Sequence, residues 1–211
     1  WLGPVVPLEN MPQFEISYRD GQTDYLQASL DAEASLSPVM LPADLSVYDL
    51  VHVTPVGHTS TQLAFLQACR ERGARQISAG TCLINVENQL PAVRAVMEQS
   101  DYFFMNVAEA EAVFGSLDKA HTKPGKVLFI TLGDRGAYVL QGEHGTRIPA
   151  VAVTEVDPTG AGNTFCGATL AHLLQNEHPT MAARHATALA AEMVTKVGPS
   201  ALLVDDPPPK A

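Results

Sequence analysis

No stretch of the 211 residues approaches the roughly 20 consecutive apolar positions that a bilayer-spanning helix requires. Basic residues are few and never clustered: 13 Lys and Arg stand against 23 Asp and Glu, a formal charge of −10. Nucleic acids and anionic membranes are gripped by grouped Lys and Arg, so neither is expected as a partner. Cysteine is scarce as well. Cys69, Cys82 and Cys166 are odd in number and form neither a CxxC pair nor a Cys/His zinc spacing, which predicts buried, reduced thiols in a cytosolic protein. The seven His residues show no metal-ligand spacing and read as surface or satisfied polar groups. The start Trp1-Leu2-Gly3-Pro4 has no basic n-region, so no signal peptide is expected and a cytoplasmic location is. Trp1 stands where an initiator Met would, as in a piece of a longer protein. No internal repeat is present.

What is there suits a globular domain. Hydrophobic residues make up 46% and charged residues 17%. A chain of this length can bury roughly 70% of its unfolded surface and stay folded without disulfides or metals. Residues 13–30 read as a hairpin, with Phe14, Ile16 and Tyr18 alternating with polar positions before the turn dipeptide Asp20-Gly21. A connector punctuated by Ser37-Pro38 and Leu41-Pro42 follows. From there strands and helices alternate. Strands are predicted at 50–53, 76–78, 102–105 and 127–131, and helices at 60–72, 89–99 and 107–114, with Gly73 ending the first helix. The apolar run Val127-Leu128-Phe129-Ile130-Thr131 is of the kind found in buried parallel sheets. A second hairpin is predicted over 137–140 and 146–149, then helices over 162–175 and 179–196, then a disordered tail at 205–211. Such alternation predicts an α/β fold with a mostly parallel central sheet covered by helices on both faces.

Three loops at strand ends carry the chemistry. In Asp157-Pro158-Thr159-Gly160-Ala161-Gly162-Asn163-Thr164-Phe165, two glycines in three residues stand just before a helix that begins near Asn163. Such glycines let the backbone bend sharply and let a ligand approach it closely. The first N–H groups of a helix lack internal partners and carry the positive end of its dipole, so a phosphate or developing oxyanion fits there. The competing account is a plain turn with Thr159 or Asn163 as N-cap. A dinucleotide-binding GxGxxG is ruled out, because Phe165 occupies the position of its last glycine. Asn106 and Glu109, three apart at a helix start, could orient a hydrated Mg²⁺ or simply form a capping box. Thr131-Leu132-Gly133-Asp134-Arg135-Gly136 could face phosphates or be an ordinary hairpin turn. In open α/β folds ligands gather beyond the carboxyl ends of the strands, where all three loops are expected.

Together these residues resemble the PfkB/ribokinase family of carbohydrate and nucleoside kinases, in the right order over roughly residues 13–204. Asp157 through Phe165 matches the D-T-x-G-A-G-D-x-F signature, Asn106 and Glu109 the N-x-x-E motif, and Thr131 to Gly136 the T-L-G-x-x-G loop. The Ala-rich stretch 186–194, leading into Val194-Thr195-Lys196-Val197-Gly198, is similar to the family's adenine-side helix and turn. The resemblance implies a ribokinase-like three-layer sandwich with a small β lid hairpin: a lid and connector at 1–36 and a kinase core at 37–204. It implies ATP and Mg²⁺ as cofactors and a sugar or nucleoside as substrate. Gly160, Ala161 and Gly162 would form the anion hole, and Asn163 would stand at the catalytic position. Thr131, Gly133 and Gly136 would line the nucleotide, and Asn106 and Glu109 would support Mg²⁺ and phosphate. Asp157 would sit beside a monovalent cation, and the exposed lid could pair with a second subunit.

Three departures bear on that expectation. Asn163 replaces the signature's last Asp, the family's catalytic base, and an amide cannot accept a proton as a carboxylate does. The family's N-terminal third, with its Gly-Gly segment, has no counterpart in this chain. Ile77-Ser78-Ala79-Gly80 lacks the D-x-N-x-R pattern of ribokinases, which argues against ribose. The sequence therefore supports a kinase, with two rivals: a binding or regulatory protein without turnover, and another α/β enzyme using the same helix start for a different anion.

Overall fold

The computed structural model describes residues 5–19, 22–55 and 57–203. The turn at Asp20-Gly21 and the tail from 205 on lie outside the described residues. The chain divides into two compact units, one up to Ser100 and one from Asp101.

In the first unit, β1 (Gln13–Arg19) and β2 (Gln22–Ser29) form the expected antiparallel hairpin. Its register shifts between Glu15 and Ile16, where Glu15 pairs with Gln27 but Ile16 with Tyr25. Leu26 is the extra residue of this bulge and stays 62% exposed. β3 (Val51–Val53) runs parallel to β4 (Ile77–Gly80), with Val51 opposite Ile77. Between them lies α1 (Thr59–Glu71), whose buried face is Thr59, Gln62, Leu66, Ala68 and Cys69. Leu63 and Phe65 are half-buried beside it, and Gln62 is its large polar member. Its Nε2 donates to the carbonyls of Val53 and Gly80 at 3.1 and 2.8 Å, so it caps the ends of both strands. α1 stops as predicted. Gly73 has φ +88°, its N–H reaches Arg70 O at 3.1 Å, and Ala74 N–H reaches Cys69 O at 3.0 Å, closing a Schellman motif.

α2 (Leu83–Gln99) starts six residues before the predicted 89. Pro91 suggests a helix start near 89, since proline lacks the N–H of a helix interior. The chain instead kinks at Gln89 (φ −138°, ψ 34°) and the turns on either side both form. The Gln89 side chain is held from outside, its Oε1 accepting the Thr59 N–H at 3.0 Å.

The second unit begins with β5 (Tyr102–Asn106) parallel to β6 (Val127–Thr131), connected through α3 (Val107–Phe114). Val127 to Ile130 are buried without a break, the pattern of a strand covered on both faces. β7 (Ala137–Gln141) and β8 (His144–Ile148) follow as antiparallel neighbours. The strand order in this unit is β5-β6-β7-β8, with β5 and β6 parallel and the last two antiparallel.

α4 (Ala161–Leu174) and α5 (Pro179–Met193) close the unit. Ala182, Ala183 and Ala186 are fully buried, which lets α5 pack closely. α5 ends three residues before the predicted 196, and the cause is tertiary. The Val194 carbonyl accepts the N–H groups of Val156 and Asp157, at 2.8 and 3.1 Å, instead of continuing the helical ladder.

Cys69 and Cys166 are buried as expected, while Cys82 is half-buried. Burial pushes the Cys166 thiol up to about 12, which keeps it protonated and unreactive.

Candidate functional site

Strand register brings two of the three loops together. Asn106, the last residue of β5, lies opposite Thr131, the last residue of β6. An aromatic cluster places α4 relative to that edge. Phe104 and Phe129 are register partners two residues before the strand ends, and their rings stack at 4.8 Å. Phe165, in the second turn of α4, packs edge-on against both at 6.3 and 6.4 Å. The second turn of α4 therefore packs on the carboxyl-terminal halves of β5 and β6.

The local geometry at the start of α4 differs from a side-chain-capped helix. Neither Thr159 nor Asn163 caps the helix. The N-cap is Gly160, in the left-handed region (φ +87°), and no side chain caps it. The positive φ demands glycine there; a Cβ would also lie 2.9 Å from the Met193 methyl, the movable end of a flexible side chain. Ala161 N–H bonds to Pro158 O at 3.1 Å and Thr164 N–H to Gly160 O at 2.8 Å. The N–H groups of Gly162 and Asn163 have no acceptor among the described residues, and both residues are exposed. A Cβ on Gly162 would meet open space, so nothing in the protein itself requires glycine at that position. Two donors without an acceptor among the described residues, at the positive end of a helix dipole, can receive an anion.

Asp157 is the anchor of the loop. One carboxylate oxygen accepts the Thr159 N–H and the other the Gly198 N–H, each at 2.9 Å. The Gly198 bond, followed by those from Thr159, holds the carboxyl below the usual carboxylate range. The bond to Gly198 spans 41 residues and has no sequence signal.

Asn106 and Glu109 form the capping box completely. Asn106 Oδ1 accepts the Glu109 N–H at 2.9 Å, and Glu109 accepts the Asn106 backbone N–H and Nδ2–H, both at 2.8 Å. Glu109 is 6% exposed, and burial pushes its carboxyl up to about 7 against the pull of the Asn106 N–H. Each oxygen thus already accepts one hydrogen bond, and a half-protonated buried acid is a poor direct ligand for a dication. The fit is to a water carried by a hydrated ion, the form in which Mg²⁺ is usually bound.

The Thr131–Gly136 loop is also a true hairpin turn, since β6 and β7 pair up to Thr131 opposite Ala137. Leu132 N–H bonds to Gly136 O at 2.7 Å and Gly136 N–H to Gly133 O at 3.0 Å. Gly136 has φ +90°, and a Cβ there would overlap the Ile148 carbonyl, so its glycine is fixed by the neighbouring backbone. Gly133 (φ +61°) has open space around it, and Thr131 is half-buried at the strand end.

A model of the pfkB family of carbohydrate kinases matches residues 18–206. The ribokinase of Lactococcus lactis is 31% identical over 121 residues, 55% of this chain and 37% of that protein. The ribokinase of Haemophilus influenzae is 32% identical over 94 residues, 44% of this chain and 31% of that protein. The matched stretch is thus about a third of either relative. Among solved structures, a ribokinase from Thermotoga maritima superposes with a TM-score of 0.71 at 23% identity, covering 90% of this chain and 65% of that one. A nucleoside kinase of Burkholderia thailandensis in complex with inosine does so with a TM-score of 0.70 at 22% identity, covering 89% and 63%. At these identities the solved structures establish the fold, a ribokinase-like one, and nothing finer.

Proposed function

The chain belongs to the pfkB family of carbohydrate kinases, and from that premise we propose that it transfers the terminal phosphoryl group of ATP to a hydroxyl of a small sugar- or nucleoside-like substrate. The observation that carries this reading is the pair of unengaged N–H groups of Gly162 and Asn163 behind the left-handed Gly160. They suit the oxygens of a phosphoryl group in flight, whose charge is spread over three equatorial positions. ATP with Mg²⁺ supplies the phosphoryl group and offsets its charge.

The chain's own residues do the positioning. Gly162 and Asn163 N–H groups donate to the transferred group, and the α4 dipole adds favourable potential. Gly160 and Ala161 set the turn, and Asp157 ties it to Gly198. The Asp157 oxygens keep lone pairs that could face a monovalent cation. Thr131 and Gly133 offer a hydroxyl and an unobstructed backbone to the nucleotide, and Gly136 holds that loop's shape. Glu109, fixed by Asn106, accepts from a water of hydrated Mg²⁺. The protein works in the cytoplasm, and two copies pair through the hairpin, where Phe14 and Leu26 are exposed.

Asn163 favours a second reading. It is exposed at the third position of α4, where its amide can donate to an anion but cannot take the substrate proton. General-base help is worth about 10²–10⁴-fold. A nucleotide- or sugar-binding regulator with little turnover is therefore the alternative.

Phosphoryl transfer from ATP across a panel of sugars and nucleosides, beside calorimetric ATP binding, separates the two with the native chain and Asn163→Asp. A kinase limited by its missing base turns over slowly and gains from the substitution. Fast native turnover with no gain refutes the base argument. Binding of ATP or a sugar without turnover in either form leaves the regulator, and binding of neither ends both readings.

A further inference from the structure

His172, Glu177 and His185 are separated by five and eight positions across two helices, so no periodicity of one element links them. The structure gathers them, although the histidine spacing in the sequence carries no metal-ligand signal. The cause is the turn between α4 and α5. Asn176 takes a left-handed conformation (φ +62°), its N–H bonds to Leu173 O at 2.9 Å, and the Glu177 N–H bonds to His172 O at 3.2 Å. This is a Schellman closure with asparagine in the glycine position. It sets Glu177 beside His172, and Glu177 Oε1 lies 3.1 Å from His172 Nδ1. Packing of α5 on α4 adds the third group. The His185 ring stacks on that of His172 at 4.5 Å, with its Nε2 3.7 Å from Glu177 Oε2. One donor atom from each residue falls within 4.8 Å of the others.

A second observation points to a missing ligand. Glu177 Oε2 is shut off from solvent and has no hydrogen-bond partner among the described residues. The His185 nitrogen is too distant for a hydrogen bond to it. An unsatisfied buried carboxylate oxygen is costly, and a cation beside it removes the cost.

We propose that His172, Glu177 and His185 bind a borderline divalent transition-metal ion of the Zn²⁺ type, clasping the α4–α5 turn. Two imidazoles and a carboxylate are the ligand chemistry such ions select over Mg²⁺ or Ca²⁺. Bonds of about 2.0–2.1 Å in a tetrahedron put neighbouring donors roughly 3.3 Å apart. The 3.1 and 3.7 Å pairs, which run to the two oxygens of Glu177, bracket that spacing, and a turn of the half-exposed His185 ring off its stack on His172 would close the third edge. The side chains of His172 and Glu177 are 29% and 31% exposed, so the ion has a path in and a coordination position open to water. The site is independent of the kinase reading.

The test uses the untagged chain, freed of metal with a chelator and dialysed, titrated with ZnCl₂ against a chromophoric competitor. One ion binds per chain. His185→Ala and Glu177→Gln each weaken it by at least about tenfold, while His121→Ala, outside the cluster, changes nothing. CoCl₂ gives the intense visible band of a four-coordinate ion, and excess MgCl₂ does not displace it. In the native protein Zn²⁺ also shields His172 and His185 from diethyl pyrocarbonate, read by peptide mass spectrometry, which needs no variant to fold. Binding undiminished in both cluster variants, no saturable binding of one ion, or unshielded His172 and His185 each overturn the proposal.

Discussion

Glu109 offers a sharp measurement, because its environment ties stability to pH in a predictable direction. The carboxyl titrates near 4.5 when exposed and is pushed up to about 7 by burial in the folded chain. Below 4.5 both states are protonated and Glu109 contributes no slope. Between the two values the folded state keeps a proton that the unfolded state has released. Stability therefore falls as pH rises across that window and levels off above pH 7. At about 1.4 kcal/mol per pH unit, the loss attributable to this group is on the order of 3 kcal/mol. Glu109→Gln has no such proton. Its amide nitrogen meets Asn106 Nδ2–H in one orientation and the Asn106 backbone N–H in the other, donor to donor, which costs about 1–2 kcal/mol at every pH. The difference between native and variant, from urea unfolding followed by far-UV circular dichroism at pH 4.5 to 7.5, isolates Glu109 because every other group titrates in both. The native protein should lose its advantage over the variant as pH rises. Parallel curves would refute the desolvation argument. A native advantage that grows with pH would mean that the Asn106 hydrogen bonds outweigh burial.

The glycines of the α4 loop should separate folding from binding. Gly160→Ala forces a left-handed alanine against the Met193 methyl, at about 1–2 kcal/mol and a fall of roughly 2–8 °C in Tm. Gly162→Ala fills open space in a helical turn, so calorimetry should show unchanged or higher stability beside weaker ATP binding. Equal damage to stability from both would contradict the distinction. Asp157→Ala frees the Thr159 and Gly198 N–H groups, and amide exchange at those two residues should accelerate while that of β6 does not.

Much of the fold is legible in the chain because local signals agree with the packing. The unbroken apolar run Val127–Ile130 fixes β6 as a strand buried on both faces, and Gly73 marks the end of α1 by its need for positive φ. The capping box of Asn106 and Glu109 is readable from spacing alone, since helix geometry makes residues three apart neighbours at an N-terminus. Signals fail where a distant group satisfies a local need. The kink of α2 before Pro91 is held from Thr59, and α5 stops at Met193 because Val156 and Asp157 take the Val194 carbonyl.

The candidate site divides in the same way. By itself the sequence determined that a glycine-rich loop meets a helix start near Asn163, and that this asparagine occupies the position of the signature's catalytic base. Both are properties of residue type and order. Only the tertiary structure decided that Gly160, and not Thr159 or Asn163, is the N-cap, and that Gly162 and Asn163 therefore keep two free donors. The loop that carries this cap is held by the Gly198 N–H on Asp157, a bond between residues 41 positions apart. The gathering of His172, Glu177 and His185 is of the same origin, because it exists only once α5 lies against α4. Side-chain chemistry is written in the order of residues, but which donors stay free is settled by what the folded chain places beside them.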